Sequence, residues 1–313
     1  MADNHVVTFY SIEKIGDHKK VGRTVERHCI KNSIVGTFFS TPQGINTTLS
    51  GKKKALIELI SLLEKKFKLI IKDETWSSSN SLPFKRLKIK CRNRLLPLKG
   101  DFDLVNSRGK HLNYQDWNKL IMDPNTIILD VRNNYETEIG TFKNSIIPKM
   151  NNLAEFPHFV DKELSETKKK KIAMFCTGGI RCEIASSFMM NEGFEDVYQL
   201  DGGILRYLKD VQDENLWEGE CFVFDERVTV DKNLKPGNFL QCFGCRRPLS
   251  KTDLESKYYE KGVSCHKCYN VSSKKDKERF SQRQLQIELA EERGYVHMGA
   301  NAKQDKVLSL IHI

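Results

Sequence analysis

Three short apolar runs, separated by helical patterns, constrain the fold of this 313-residue chain more than any other feature. They lie within NTIILDVR (125–132), KKIAMFC (170–176) and DVYQLDGG (196–203). A strand that is apolar throughout is typical of a parallel sheet buried on both faces, because a half-exposed strand would alternate with polar residues. The sequence therefore predicts an α/β domain with a parallel sheet over residues 98–212.

The residues in front of this domain follow a different order of elements. An amphipathic helix is predicted from the helical spacing of Leu56, Leu59, Ile60, Leu63 and Phe67. A helix is also predicted before Asn32, and WSSSNS (76–81) has the composition of a loop. The predicted strands are VVTFY (6–10), IVGTFF (34–39), a strand that follows a turn within TPQGINTTLSG (41–51), and FKRLKIKCR (84–92). The order β-α-β-β-α-β predicts a ferredoxin-like α+β domain over residues 1–97.

The C-terminal region, residues 213–313, is smaller in core and richer in charge. FVFDERVTV (222–230) is predicted to be a strand, and residues 273–294 are predicted to form a highly charged helix. The last residues, KVLSLIHI (306–313), receive no assignment. Between the strand and the helix lie two Cys-x-x-Cys pairs. This region is therefore predicted to be a small cysteine-rich module.

The segment MFCTGGIRCEIASSFM joins a buried strand to a helix and carries the most reactive pattern in the sequence. Backbone N–H groups of a strand-loop-helix turn with two glycines can converge on one point, and the helix N-terminus adds positive potential there. A cysteine at that point is favoured as the thiolate. The alternative is an inert core cysteine. The loop residues are Cys176, Thr177, Gly178, Gly179, Ile180 and Arg181.

This loop resembles the active-site loop of the rhodanese superfamily. LDVRNNYETEIGTFKNSIIP (129–148) and VYQLDGGILRYL (197–208) are similar to further rhodanese segments. Phosphatases of this fold have arginine six positions after cysteine, whereas Arg181 is five positions after Cys176. The shorter loop favours sulfur or another small adduct over phosphate.

Three residues near the loop have alternative roles. The resemblance places Asp130 and Arg132 under or beside the loop, where bracing the turn is the favoured role. Cys182 is either a resolving thiol that forms a disulfide with an oxidised Cys176, or a small buried residue on the first helical turn.

Cys242, Cys245, Cys265 and Cys268 have the spacing of a tetrahedral structural zinc site. Gly244 allows a tight turn in the first pair. The polar segment between the pairs has little core, so a metal would supply the folding free energy. Free thiols, or disulfides formed on oxidation, are the alternatives.

Charge and composition bear on partners and compartment. The net charge of +10 suits an acidic partner such as RNA, although a lysine-rich proteome would also produce it. The N-terminus lacks the layout of a secretory signal and no run reaches the roughly 20 apolar residues of a membrane helix. A cytoplasmic protein without a membrane segment is therefore expected.

GIN in the first domain, CTGGIRCE in the second and FVFDERV beyond it together resemble the tRNA uridine hydroxylase family. The resemblance implies an acylphosphatase-like first domain and oxygen-dependent hydroxylation of the wobble uridine of tRNA to 5-hydroxyuridine. It implies that Cys176 is essential, with Arg181 beside it, and that molecular oxygen is the co-substrate. No organic cofactor motif is recognised in the sequence. A sulfurtransferase carrying a persulfide on Cys176, and a non-catalytic scaffold, are the competing functions.

Overall fold

The computed structural model describes residues 4–71, 74–79, 83–98, 100, 103–104, 106–212 and 214–294. The chain forms two compact units, residues 1–237 and 238–313. The strands of the first unit are β1 (Asn4–Ser11), β2 (Val35–Thr41), β3 (Gly44–Gly51), β4 (Thr75–Ser79), β5 (Leu87–Cys91), β6 (Lys110–Leu112), β7 (Ile127–Asp130), β8 (Gly140–Phe142), β9 (Ile172–Phe175), β10 (Val197–Leu200), β11 (Trp217–Gly219), β12 (Cys221–Phe222) and β13 (Thr229–Val230). Its helices are α1 (His18–Lys31), α2 (Lys53–Phe67), α3 (Tyr114–Met122), α4 (Asn134–Thr137), α5 (Phe156–Phe159), α6 (Ile180–Asn191) and α7 (Gly203–Asp210).

The first domain has a five-stranded sheet in the order β4-β1-β3-β2-β5. The neighbours in the run from β4 to β2 are antiparallel, which is the arrangement predicted for a ferredoxin-like domain. One detail of the prediction is wrong. The last strand of the motif is β4, which lies in the segment that was predicted to be a loop, and its residues 80–81 are outside the described residues. The predicted strand 84–92 is instead β5, which pairs parallel to β2 at the opposite edge.

The serine-rich composition of β4 explains this error. Serine is a turn residue by statistics, but β1 supplies an antiparallel partner that satisfies the backbone groups of β4 from Asn4↔Ser79 to Thr8↔Thr75. Tertiary pairing therefore overrides the local preference. Helices α1 and α2 cover one face of this sheet, and their buried residues Val21, Val25, Leu56 and Leu59 share a core with strand residues.

The second domain has a parallel sheet in the order β6-β10-β9-β7, as the apolar runs predicted. All four residues of β9 are buried. Ile172 and Met174 pack into a core with α6, while Ala173 and Phe175 pack into a second core with α3 and α7. The sheet is therefore covered on both faces, and its carboxyl edge carries the loop that begins at Cys176.

Residues 217–230 pair within the first unit. Strand β11 is antiparallel to β8, with Trp217 opposite Phe142. The single strand predicted over 222–230 is wrong, because β12 and β13 form a hairpin in which Phe222 pairs with Thr229. The side chain of Asp225 accepts hydrogen bonds from the backbone and guanidinium of Arg227, and these bonds stabilise the turn.

The second unit contains β14 (Leu240–Gln241), β15 (Pro248–Leu249) and α8 (Lys274–Glu292). The two strands pair antiparallel. Helix α8 confirms the predicted charged helix, and Ser273 caps it by accepting a hydrogen bond from the Asp276 N–H. The tail 306–313 lies outside the described residues. Across the described ranges, no helix is both long enough and apolar enough to span a bilayer.

Candidate functional site

The loop at Cys176 is held between the carboxyl end of β9 and the start of α6. Gly179 precedes the helix with a φ of 92°, a left-handed conformation that favours glycine. The N–H groups of Ile204 and Leu205, in the first turn of α7, donate to the Cys176 and Thr177 carbonyls. The Gly179 N–H in turn donates to the Cys176 sulfur over 3.2 Å. The loop therefore directs backbone donors at the sulfur, as the glycines predicted.

Gly203 makes this contact with α7 possible. A Cβ on Gly203 would lie 2.5 Å from the Cys176 carbonyl oxygen and 2.7 Å from the Gly179 nitrogen. Both neighbours are backbone atoms, which cannot move aside as a flexible side chain does. Gly203 also has a φ of 68°. The second glycine of the sequence Asp-Gly-Gly thus permits close packing beneath the loop.

The electrostatics of the loop favour a thiolate at Cys176. Burial alone would raise the pKa of Cys176. A hydrogen bond from the Cys182 thiol, the positive charge of Arg181 and backbone N–H donors outweigh burial and lower this pKa to about 6. Near neutral pH the sulfur is therefore mostly ionised, which is the nucleophilic form. Cys176 itself has 0% exposure, so the groups around the loop must part before a substrate reaches the sulfur.

Glu136 contacts the loop and was not predicted from the sequence. Its carboxylate accepts two hydrogen bonds from Arg181, over 2.6 and 2.7 Å, and one from the Thr177 hydroxyl over 3.2 Å. Burial alone would raise the pKa of Glu136, but the charge and hydrogen bonds of Arg181 lower it. The Arg181 guanidinium is thus committed to Glu136. It acts on Cys176 through its charge rather than as a free fork for an anion.

A signal for Glu136 was present in the sequence. Asn133 and Glu136 have the spacing of a capping box, and the structure shows that Asn133 caps α4 in this way. The next acidic residue in this segment, Glu138, is exposed. A carboxylate that caps a buried turn needs a cationic partner. The partner, Arg181, is 45 positions away and is not identifiable from local spacing.

Asp130 and Arg132 form a buried ion pair over 2.7 Å, with 0% exposure of both side chains. Arg132 also donates to the carbonyls of Glu136 and Gly140, and the Thr141 hydroxyl donates to Asp130. The pair therefore supports the segment that carries Glu136. In the described part of the chain, the side-chain hydrogen bonds of Asp130 and Arg132 stay within residues 130–141. None of these bonds reaches loop residues 176–182.

Cys182 lies in the first turn of α6 with 0% exposure. Burial is the largest cause that raises its pKa well above the ordinary value, and the hydrogen bond to Cys176 adds to this effect. Cys182 is thus a protonated donor beside an ionised sulfur. Both roles considered from the sequence, the resolving thiol and the small buried helical residue, stay predictions.

Strand β1 of the first domain covers the loop. The Tyr10 hydroxyl donates to Glu183 over 2.8 Å, and a Cβ on Gly179 would lie 3.0 Å from the same hydroxyl. Glu183 is 3% exposed and also binds Arg108 and His111. The hydrogen bond to Glu183 is the largest cause that raises the pKa of His111. Local sequence patterns do not point to Tyr10, Arg108, His111 or Glu183, because their partners come from distant parts of the chain.

The second unit brings its four cysteines together. Their sulfurs lie within 4.8 Å of one another, with Cys242 and Cys268 3.9 Å apart and Cys245 and Cys265 3.8 Å apart. A Cβ on Gly244 would lie 2.2 Å from the Val263 carbonyl, so only glycine fits that knuckle. Four converging thiols are the donor set of a closed tetrahedral zinc site. We call this set, Cys242, Cys245, Cys265 and Cys268, the cysteine cluster.

Two family models match parts of this chain, and several solved structures resemble one part of it. Residues 4–95 match the UPF0176 acylphosphatase-like domain, and residues 114–210 match the rhodanese-like domain. A rhodanese-like domain from Anabaena sp. is 20% identical, covers 35% of this chain and 78% of its own, and has a TM-score of 0.29. A rhodanese-related protein from Thermoplasma volcanium is 24% identical, covers 34% of this chain and 98% of its own, and has a TM-score of 0.28.

One curated relative matches nearly the whole chain. It is a tRNA uridine(34) hydroxylase from Acaryochloris marina, 39% identical over 304 residues, which are 96% of this chain and 97% of the relative. The match includes the acylphosphatase-like domain, the loop at Cys176 and the second unit, and so extends far beyond a rhodanese domain alone. This chain belongs to the tRNA uridine(34) hydroxylase family.

Proposed function

We propose that this chain hydroxylates the wobble uridine of tRNA to 5-hydroxyuridine, with Cys176 as the reactive group and molecular oxygen as co-substrate. The observation that carries the proposal is the 39% identity to a curated hydroxylase over 96% of the chain. The loop alone does not separate a hydroxylase from a sulfurtransferase, since both use a thiolate. The similarity of the whole architecture favours the hydroxylase.

The chemistry proposed for Cys176 begins with addition of its thiolate to C6 of the uracil ring. The S–C6 bond forms as the C5–C6 π electrons move toward the C4 carbonyl oxygen, and C5 of the resulting enolate becomes electron-rich. C5 is the carbon that carries the hydroxyl in the product. A thiolate with a pKa of about 6 is available for this addition at neutral pH.

The other site residues position this nucleophile. Arg181 stabilises the thiolate through its charge, and Glu136 holds Arg181 by two hydrogen bonds. Gly179, which follows Gly178 in the loop, lets the backbone direct its N–H at the Cys176 sulfur, while Thr177 joins Arg181 to Glu136. Asp130 and Arg132 support the segment of Glu136. Ile180 and Cys182 begin the helix behind the loop.

The cysteine cluster is proposed to hold one structural zinc ion. Zinc would close the second unit, whose buried core around these cysteines includes one buried aliphatic residue, Leu249, among the described residues. We further propose three domains, over residues 1–97, 98–212 and 213–313. A tRNA substrate places the proposed site of action in the cytoplasm.

Nucleoside mass spectrometry tests the proposed activity. Purified protein is incubated aerobically with tRNA from cells that lack the gene, and 5-hydroxyuridine is measured. We expect product with the wild type and with Cys91→Ser, an exposed cysteine far from the loop in sequence. Cys176→Ser should yield none, because a hydroxyl of much higher pKa does not ionise near neutral pH. Thiosulfate sulfurtransferase activity without any hydroxylation would show that the alternative function is correct.

A further inference from the structure

The sheet of the first domain has one face that its own helices, α1 and α2, leave uncovered. Val7 and Phe9 of β1 and Phe38 of β2 point into the core beneath α1 and α2. Alternation along a strand then places Thr8 and Tyr10 on the opposite face, together with Phe39. The residues of this open face are Thr8 and Tyr10 on β1, Asn46 and Thr48 on β3, Thr37 and Phe39 on β2, and Lys88 and Lys90 on β5 with Arg92 just beyond it.

One row of this open face runs across the sheet in register. Tyr10 pairs with Asn46, Asn46 with Phe39, and Phe39 with Lys90. Neighbouring strands are about 4.8 Å apart, so the row spans roughly 14 Å. The Tyr10 end of the row touches the loop at Cys176, because a Cβ added to Gly179 would lie only 3.0 Å from the Tyr10 hydroxyl. The row thus leads from the loop to the far edge of the sheet.

The far edge of the sheet is strongly basic. Residues 84–98 contain six lysines and arginines and no aspartate or glutamate. Lys90 and Arg92 are exposed, and they lie 5.6 and 4.8 Å from the centre of the Phe39 ring. Within the described ranges neither is paired with a carboxylate. An aromatic ring close to two cations is a combination that binds a base and its neighbouring phosphates.

We propose that the open face of the first domain binds the single-stranded RNA that flanks the nucleotide delivered to Cys176. Phosphates contact Lys90 and Arg92, and an adjacent base stacks on Phe39. This inference rests on the proposed function, since it takes the anticodon strand of tRNA as the occupant. Charge complementarity and continuity with the catalytic loop favour RNA. An acidic protein would need the cations but not the aromatic ring close to them.

A matched pair of charge reversals tests this surface. The test variant is Lys90→Glu with Arg92→Glu. The control is Lys54→Glu with Lys65→Glu, which changes the net charge equally on exposed residues of α2, in the layer that covers the other face. Binding of tRNA is measured over a range of salt concentrations. In single strands, each phosphate contact contributes roughly 0.7 to the slope of log affinity against log salt concentration. We expect the test variant to lose two contacts, which should reduce this slope by about 1.4. The control should leave the slope unchanged.

Substitution of Phe39 tests the stacking separately from the charge. Stacking of one base is worth about 1–3 kcal/mol by alanine substitution, so Phe39→Ala should raise the KM for tRNA by roughly 5- to 150-fold. Phe39→Tyr keeps the ring and should stay close to the wild type. KM should rise far more than kcat falls, because the loop at Cys176 is not altered.

The outcomes separate this inference from the proposed function. Equal loss of tRNA binding in the test and control pairs, or no loss in either, would refute the proposal that the open face binds RNA. Hydroxylation by the wild type would not be affected by that result. Weakened binding of an acidic protein without a change for RNA would also overturn it. Binding of tRNA through this face by a wild type that does not hydroxylate would instead refute the proposed function alone.

Discussion

Removing the Cys182 thiol should raise the pKa of Cys176. The hydrogen bond from Cys182 is the largest of the causes that lower this pKa against burial. A hydrogen bond to an ionised group is worth about 1.5–3 kcal/mol, and a thiol, being a weak donor, belongs at the low end of that range. One pKa unit corresponds to about 1.36 kcal/mol. We therefore expect Cys182→Ala to raise the Cys176 pKa from about 6 to a value near 7.

The consequence at neutral pH is a loss of nucleophile. With a pKa of about 6, roughly 0.9 of Cys176 is thiolate at pH 7, whereas a pKa near 7 leaves roughly 0.5. The sign follows from the cause, since a lost donor to the charged form always raises a thiol pKa. The acid limb of the hydroxylation rate should move to higher pH by the same amount.

Thiolate ultraviolet absorbance, titrated against pH, measures the change. The spectrum of the matched Cys176→Ser protein is subtracted, which removes the other thiols. Cys29→Ala is the control, because Cys29 is also fully buried and its pKa is raised by burial to about 12, but it lies in the core of the first domain. An unchanged midpoint in Cys182→Ala would refute the assignment of Cys182 as the donor.

Cys182→Ser separates the two roles considered for this residue. A serine hydroxyl still donates a hydrogen bond, so the Cys176 pKa should stay near its wild-type value. A resolving thiol is lost equally in the serine and alanine variants. If both variants fail alike to recover after peroxide treatment while the serine variant keeps the low pKa, Cys182 resolves an oxidised Cys176. Full recovery in both leaves only the positioning role.

Three further predictions concern the buried ion pair, the metal and the RNA. Glu136→Ala leaves the buried Arg181 charge without its partner carboxylate, so it should lower the free energy of unfolding of the first unit by about 3–5 kcal/mol, measured by thermal or urea unfolding. The control Glu138→Ala, at an exposed position, should change this free energy by no more than about 0.5 kcal/mol. Similar losses in both variants would disprove the role of the ion pair. Elemental analysis of tag-free protein should find about one zinc per chain, and chelation should release residues 238–294 to proteolysis but spare the first unit; zinc-free protein with all four cluster thiols titratable would contradict this. Affinity for tRNA should fall steeply with potassium chloride, since the chain carries a net charge of +10, and a flat response would remove the electrostatic argument for RNA.

Local patterns in the sequence were sufficient to predict the central features. Continuous apolar runs predicted the parallel sheet, because burial of both faces leaves no polar alternation in β9. The glycines after Cys176 predicted the loop, and Gly179 has a φ of 92°, a left-handed conformation that favours glycine. The spacing of the cysteine pairs predicted their convergence on one point, which the structure confirms.

Contacts between distant segments were decided only by the tertiary structure. The serine-rich β4 is a strand because β1 pairs with it. Strand β5 lies at the opposite edge of the sheet because it pairs with β2. Glu136 became visible as the partner of Arg181 only when the fold brought them within 2.6 Å. Periodicity and spacing describe a residue's own segment, whereas these roles depend on which segments pack together. For the same reason, only the folded sheet shows that its open face leads to the reactive cysteine.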